Sequence, residues 1–151
     1  MQASISQAEA ADRVAIRDVV DRYAYCADRR DAQAQMALFT PDTHFVVFMD
    51  AKNATPTQEL TSREALAPVF ADLNKYAATF HFMGQYTIFS LNPNEATGGG
   101  YCLAHHLTVD GDQRRMMIAT LRYHDTFAKI GGAWLFAERL LYVDWIEERT
   151  L

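Results

Sequence analysis

Apolar and polar positions along this chain follow two different periods. From Gln7 to Ala27, the residues Val14, Ile16, Val19, Val20, Tyr23 and Ala27 gather on one side of a helix, and Asp12, Arg13, Arg17, Asp18, Asp21 and Arg22 fill the other. That spacing predicts an amphipathic helix that covers another part of the fold. The polar run Asp28-Arg29-Arg30-Asp31 interrupts it, and Asp31 suits the N-cap of a short second helix ending near Phe39. Thr40-Pro41-Asp42 stops that helix, because a residue before proline is pushed out of the α region, and His44 to Phe48 reads as a strand. The polar composition between Asp50 and Leu60 predicts a loop or ragged edge near the mouth of the fold. Thr61-Ser62-Arg63-Glu64 has capping-box spacing and predicts a third helix to about Lys75, with a kink or late start at Pro68.

Beyond Tyr76 the period falls to two. Strands are predicted over about 78–91, 95–109, 114–128 and 133–147, separated by the hairpin turns Asn92-Pro93-Asn94, Asp110-Gly111-Asp112 and Gly131-Gly132. On the first of these strands, His81 shares a face with Thr79, Met83 and Gln85, while Phe80, Phe82, Gly84 and Tyr86 point the other way. On the next, Cys102, Ala104 and His106 form a face of small residues with room for a ligand, against the bulky Tyr101, Leu103, His105 and Leu107; His106 is therefore the inward histidine of the adjacent pair. Gly98-Gly99-Gly100 is placed to bend a long strand. Helices followed by an antiparallel meander define an α+β architecture, with the helices over the concave face of a curled sheet and a cavity between the layers.

Composition narrows the reading. The 151 residues suffice for one domain spanning 1–151, and with half of them hydrophobic and 22% charged the chain is expected to be ordered. A formal net charge of −5 with scattered basic residues argues against a nucleic-acid partner. No apolar run reaches the length of a membrane span, and Met1 to Ala11 lacks the apolar centre of a signal peptide, so no membrane association and a cytoplasmic location are expected. Cys26 and Cys102 lie in apolar stretches and read as reduced core thiols; no HxxxH or CxxC spacing indicates a metal. His44 and His124 read as surface or rim residues, Trp134 and Trp145 as core or interface aromatics.

Arg22-Tyr23-Ala24 before Asp28 and Asp31, Leu38-Phe39-Thr40-Pro41-Asp42, Phe80-His81-Phe82-Met83-Gly84, and Tyr123-His124-Asp125 leading to Gly132-Ala133-Trp134 and Arg139 together resemble the SnoaL-like branch of the nuclear transport factor 2-like superfamily. The resemblance covers nearly the whole chain and rests on the order and spacing of these pieces. It implies a cone-shaped α+β barrel, three N-terminal helices on a strongly curved, mostly antiparallel sheet, and a homodimer formed through the sheet. It does not imply one chemistry, because this cone hosts dehydratases, isomerases, cyclases, epoxide hydrolases and plain binding proteins. Within the branch, the likeness to scytalone dehydratase, hexachlorocyclohexane dehydrochlorinase and bile-acid dehydratase implies that His81 and Asp28 form a dyad. It also places a second histidine at His106, a tyrosine at Tyr23 and a pocket arginine at Arg139. The groups that bind substrate in the scytalone enzyme fall here on Leu121 and Tyr123, so scytalone itself is not the expected substrate.

The chemistry follows from the side chains as well. Eliminating water or halide, or moving a double bond, begins with removal of a proton from carbon by a base of near-neutral pKa, and histidine is the side chain nearest to that. A carboxylate on the other ring nitrogen fixes the tautomer and stabilises the imidazolium, as Asp28 would for His81. Tyr23, Tyr123 and His106 are the available donors for an enolate or leaving group, and Tyr123, Arg139, Cys102 and Ala104 are the expected substrate contacts. Tyr23 suits packing as well as polarisation, and a buried Arg139 needs an acid such as Asp28 or Asp31. The expectation is a cofactor-independent lyase or isomerase acting on a small, largely apolar cyclic or carbonyl compound. The alternatives are a non-catalytic ligand-binding protein or oxygenase subunit, and an epoxide hydrolase built on Asp28, Arg139 and Asp125.

Overall fold

In the computed structural model, which describes residues 4–151, helix α1 (Gln7–Arg29) lies across a curved six-stranded sheet. The first three residues of the segment weighed as a leader lie outside the described residues. Ser6 caps the helix by accepting the Glu9 amide at 3.1 Å, and Arg30, in the left-handed region at φ 61°, ends it by donating its own amide to Ala27 and Cys26. The predicted apolar side is buried from Ile16 to Ala27, with the exception of Val14, which is exposed. Asp28 thus belongs to the last helical turn rather than to a connection after it.

Helix α2 (Ala32–Met36) is capped by Asp31, whose side chain accepts the Ala34 amide at 2.9 Å. It stops three residues short of the predicted end, because Phe39 already opens strand β1 (Phe39–Phe48). The Phe136 amide donates to Leu38 O at 2.8 Å and Phe39 is wholly buried, so long-range pairing overrides the local helical spacing. Strand β2 (Gln58–Leu60) forms inside the polar loop and pairs antiparallel with β1. Helix α3 (Ala67–Ala71) starts late, with Pro68 in its first turn, and 3-10 turns flank it at Glu64–Leu66 and Asp72–Lys75. Ser62, not Thr61, caps this stretch by accepting the Ala65 amide at 3.2 Å.

The predicted meander is present as β3 (Ala78–Leu91), β4 (Glu95–Asp110), β5 (Gln113–Ile130) and β6 (Ala133–Thr150). Gly131 and Gly132, at φ 58° and 83°, make the β5–β6 turn, whose positive φ values match the right-handed twist of the strands. The sheet order is β2-β1-β6-β5-β4-β3, and β1 joins β6 in parallel. Residues spaced by two cannot reveal that last pairing, which brings the N-terminal half of the chain onto the far edge of the meander.

Bulges supply the curvature, and they lie on β3 and on β6, where Ala137 and Asp144 are the extra residues, rather than at the glycines of β4. Met83 pairs with Cys102 and Tyr86 with Gly100, so Gly84 and Gln85 together oppose Tyr101. The side-chain alternation inverts there: Tyr86 turns inward and Gln85 outward, opposite to the regular period of two. The glycines serve as a bed for Tyr86, since a Cβ on Gly100 would stand 2.5 Å from its ring and one on Gly98 2.8 Å. The Gly84 carbonyl at the bulge accepts from Arg17 of α1 at 3.1 Å, which pins the helix to the bent strand. Tyr23, Phe39, Phe70 and Phe136 meet edge-on or tilted beneath the helices, with centroids 5.0 to 6.0 Å apart, and form the aromatic centre of the core.

Candidate active site

Asp28 is placed by the last turn of α1, where the helix dipole disfavours a carboxylate. Three donors from β3 offset this. The His81 amide donates to Oδ2 at 2.9 Å, the His81 ring meets Oδ1 through Nδ1 at 2.7 Å, and the Thr79 hydroxyl donates to Oδ1 at 2.9 Å. Arg30 closes the cluster by donating to Thr79 Oγ1 at 2.7 Å. Partial burial favours the neutral form of Asp28, but its bonds to the ring and amide of His81, the His81 charge and Thr79 outweigh burial and hold the carboxyl below the usual carboxylate range. With Nδ1 donating to Asp28, a neutral His81 carries its lone pair on Nε2.

His81 opens on a cavity of about 370 Å³ between the helices and the concave face of the sheet. His106 of β4 stands beside it, the two rings edge-on at 5.6 Å, and Tyr76 lies over His106 at 4.6 Å. Burial, and then the charge of His81, push His106 down to about 4, so its ring is neutral at ordinary pH. His106 Nδ1 is buried with no partner among the described residues. His105 faces away and packs on Phe80 across the outer surface, as strand parity predicts.

The remaining sequence-nominated residues divide into two groups. Tyr23, Tyr123 and Ala104 line the cavity with His81 and His106. Cys102 and Arg139 do not: both are buried behind its wall. Burial pushes the Tyr23 hydroxyl and the Cys102 thiol each up to about 12, so both are neutral. Cys26 and Cys102 are free thiols.

Arg139 is wholly buried, and its partner is neither Asp28 nor Asp31. Its Nε donates to Asp125 Oδ1 at 2.9 Å and its Nη2 to Oδ2 at 3.2 Å, while Tyr86 donates to the same Oδ2 at 2.7 Å. The guanidinium lies 3.7 Å from the centroid of the Tyr123 ring and 4.2 Å from that of Tyr23. Although burial opposes the charge, the Asp125 carboxylate holds the Arg139 guanidinium protonated. The sequence signal for this pair was weak: Asp125 and Arg139 sit opposite each other on β5 and β6, and Tyr86 reaches them only because the β3 bulge turns it inward.

Sequence reasoning also missed Gln35, which lines the cavity from α2 and is 2% exposed. His124 is exposed at the surface, as expected, and His44 is half-buried, clasped between Glu138 at 2.7 Å and Glu59 at 2.6 Å. Trp134 is buried and bonded to Asp12, whereas Trp145 is exposed on the outer face. Among the described residues, no cluster of three or more His, Cys, Asp or Glu side chains is placed to hold a metal ion. No helix among them is long and apolar enough to cross a membrane.

A bent sheet capped by helices, with a histidine–carboxylate pair at the wall of the intervening cavity, defines an α+β cone. Residues 8–140 match the SnoaL-like domain family, and the chain belongs to that family. A search of curated protein sequences found no match. Solved structures with the same fold include one named "Putative Scytalone Dehydratase" from Novosphingobium aromaticivorans, 21% identical over 93% of this chain and 89% of that one, with a TM-score of 0.77. A hexachlorocyclohexane dehydrochlorinase (LinA Type2) is 17% identical over 93% and 89% of the two chains, with a TM-score of 0.73. The beta subunit of a "putative aromatic-ring-hydroxylating dioxygenase" from Novosphingobium aromaticivorans is 21% identical over 92% and 93%, with a TM-score of 0.77. At these identities the likeness establishes the fold.

Proposed function

We propose that the cavity performs cofactor-independent proton abstraction from carbon, as a lyase or isomerase, on a small, largely apolar cyclic or carbonyl compound. The observation that carries this reading is the double grip of Asp28 on the amide and ring of His81, with that ring opening on the cavity. His81 Nε2 takes the proton α to a carbonyl, and the electron pair of the broken C–H bond moves onto the carbonyl oxygen as an enolate. The enolate then either expels a leaving group from the adjacent carbon, giving a lyase, or is reprotonated at another carbon, giving an isomerase. Asp28 holds the tautomer and balances the imidazolium; positioned proton transfer of this kind contributes roughly 10²- to 10⁴-fold. His106, Tyr23 and Tyr123 are neutral donors for the developing oxyanion. Membership of the SnoaL-like family and fold similarity to a dehydrochlorinase support the reading.

The test is exchange of the α-protons of 2-tetralone in D₂O, followed by proton NMR. The protein is expected to accelerate exchange and His81→Gln to abolish the acceleration. Equal acceleration by the variant would remove His81 from the mechanism.

A second reading is favoured by the likeness to an oxygenase beta subunit: a non-catalytic binding or structural role. Tight co-purification with a larger oxygenase subunit, and no exchange activity, would select it. The epoxide-hydrolase scheme is weaker, because Arg139 and Asp125 are sealed behind the cavity wall and Asp28 bonds His81 and Thr79 instead. We further propose that the chain forms a homodimer through the outer face of the sheet. Phe82, Leu103, Thr120 and Trp145 are consecutive cross-strand neighbours there, and their three apolar side chains are exposed.

A further inference from the structure

We infer that Gln35 is the group that orients the substrate, its side-chain amide hydrogen-bonding a carbonyl or hydroxyl oxygen on a neutral ring compound. The inference rests on the proposed reading for its catalytic meaning, but on separate observations for its geometry. A polar side chain as buried as Gln35 is ordinarily bonded to the protein. Among the described residues this amide makes no such bond, although the Gln35 backbone is fully engaged: its amide donates to Asp31 O at 3.0 Å and its carbonyl accepts from Leu38 at 3.2 Å. The Asp31 cap fixes the helix that carries it. What remains free is a primary amide, two donors and one acceptor, opening on a cavity that also exposes Phe45, Val47, Val69 and Phe70. Neither polar atom of the amide is sealed off without a partner, so both reach the cavity space; covering them with a ligand that brings no oxygen is costly, and one that supplies an oxygen gains over it.

The charge of the ligand follows from the rest of the lining. Among the described residues that line it, Asp72 and Lys75 are the only Asp, Glu, Lys or Arg, and they bond each other at 2.7 Å. Among the described lining residues no unpaired permanent charge is left to hold an ionic substrate. The cavity volume lies within the roughly 300–1,000 Å³ of ordinary small-molecule pockets, which admits a two-ring compound. Gln35 on α2 and His81 on β3 then hold such a compound from two different elements, one by its oxygen and one at the carbon to be deprotonated.

The experiment compares 2-tetralone with tetralin, which has the same rings and no oxygen, by NMR titration of the full chain and of Gln35→Met and Gln35→Leu. The ratio of the ketone's Kd to the hydrocarbon's is expected to rise about tenfold in either variant, the worth of one buried hydrogen bond. In the unmodified protein the assigned Gln35 side-chain NH₂ resonances are expected to shift with 2-tetralone and not with tetralin, a readout that needs no variant to fold. An unchanged ratio, NH₂ resonances indifferent to the ketone, or no binding of either compound would overturn the inference. Binding is separable from chemistry: a shifted ratio without deuterium exchange sinks the catalytic reading and leaves Gln35 in place, while exchange with an unshifted ratio does the reverse.

Discussion

Asp28 holds His81 at two points, accepting the backbone amide through one oxygen and meeting ring Nδ1 at 2.7 Å through the other. Because the same carboxylate grips both the strand and the ring, the imidazole cannot rotate without losing a bond that also anchors α1 to β3. Asp28→Asn keeps the shape but offers one oxygen where two are used, and it permits the opposite tautomer. We expect it to lower the exchange rate roughly 10²- to 10⁴-fold with little change in 2-tetralone affinity. An equal loss of affinity would mean that Asp28 shapes the cavity rather than the base.

The buried ion pair behind the cavity makes a prediction about stability. Arg139 and Asp125 side chains are both fully buried, so Arg139→Met leaves an unpaired carboxylate in the core and should cost about 3–5 kcal/mol in urea unfolding. The double variant Arg139→Met with Asp125→Asn should recover part of that loss. Tyr86→Phe removes only the hydroxyl donor and should cost about 1 kcal/mol.

Two histidines give the stability profile opposite slopes. His44, between Glu138 and Glu59, has its pKa raised by those bonds. Its contribution is therefore full below the unfolded value of about 6.5 and is lost as pH rises through the higher folded value. His106 is pushed down to about 4 by burial and by His81, so its contribution is present above the unfolded value and is lost as pH falls toward that figure. Unfolding measured from pH 4 to 9 should show His44→Gln flattening the alkaline side and His106→Asn the acid side. Exchange of the two effects would contradict both assignments.

The outer sheet face supplies a prediction about assembly. Phe82→Asp sets a charge in the middle of the exposed stripe and should turn a dimer into a monomer in sedimentation velocity, with the exchange activity of the cavity retained. A wild-type chain that sediments as a monomer at all concentrations would dismiss the dimer.

Local patterns in the sequence were enough for α1, for the four long strands and their turns, and for the choice of His106 over His105, because a period of 3.6 or 2 in apolar residues directly states which side chains share a face. The chain's own pattern also marked His81 and Asp28 as worth pairing, through their resemblance to a known family. What local spacing could not supply was anything that depends on which distant segments meet. The parallel β1–β6 pairing, the β3 bulge that turns Tyr86 inward, the Asp125 partner of Arg139 and the unbonded amide of Gln35 all arise from long-range packing. Packing sets register and burial by excluding water from particular pairs of surfaces, and those pairs are named only when the chain has closed on itself.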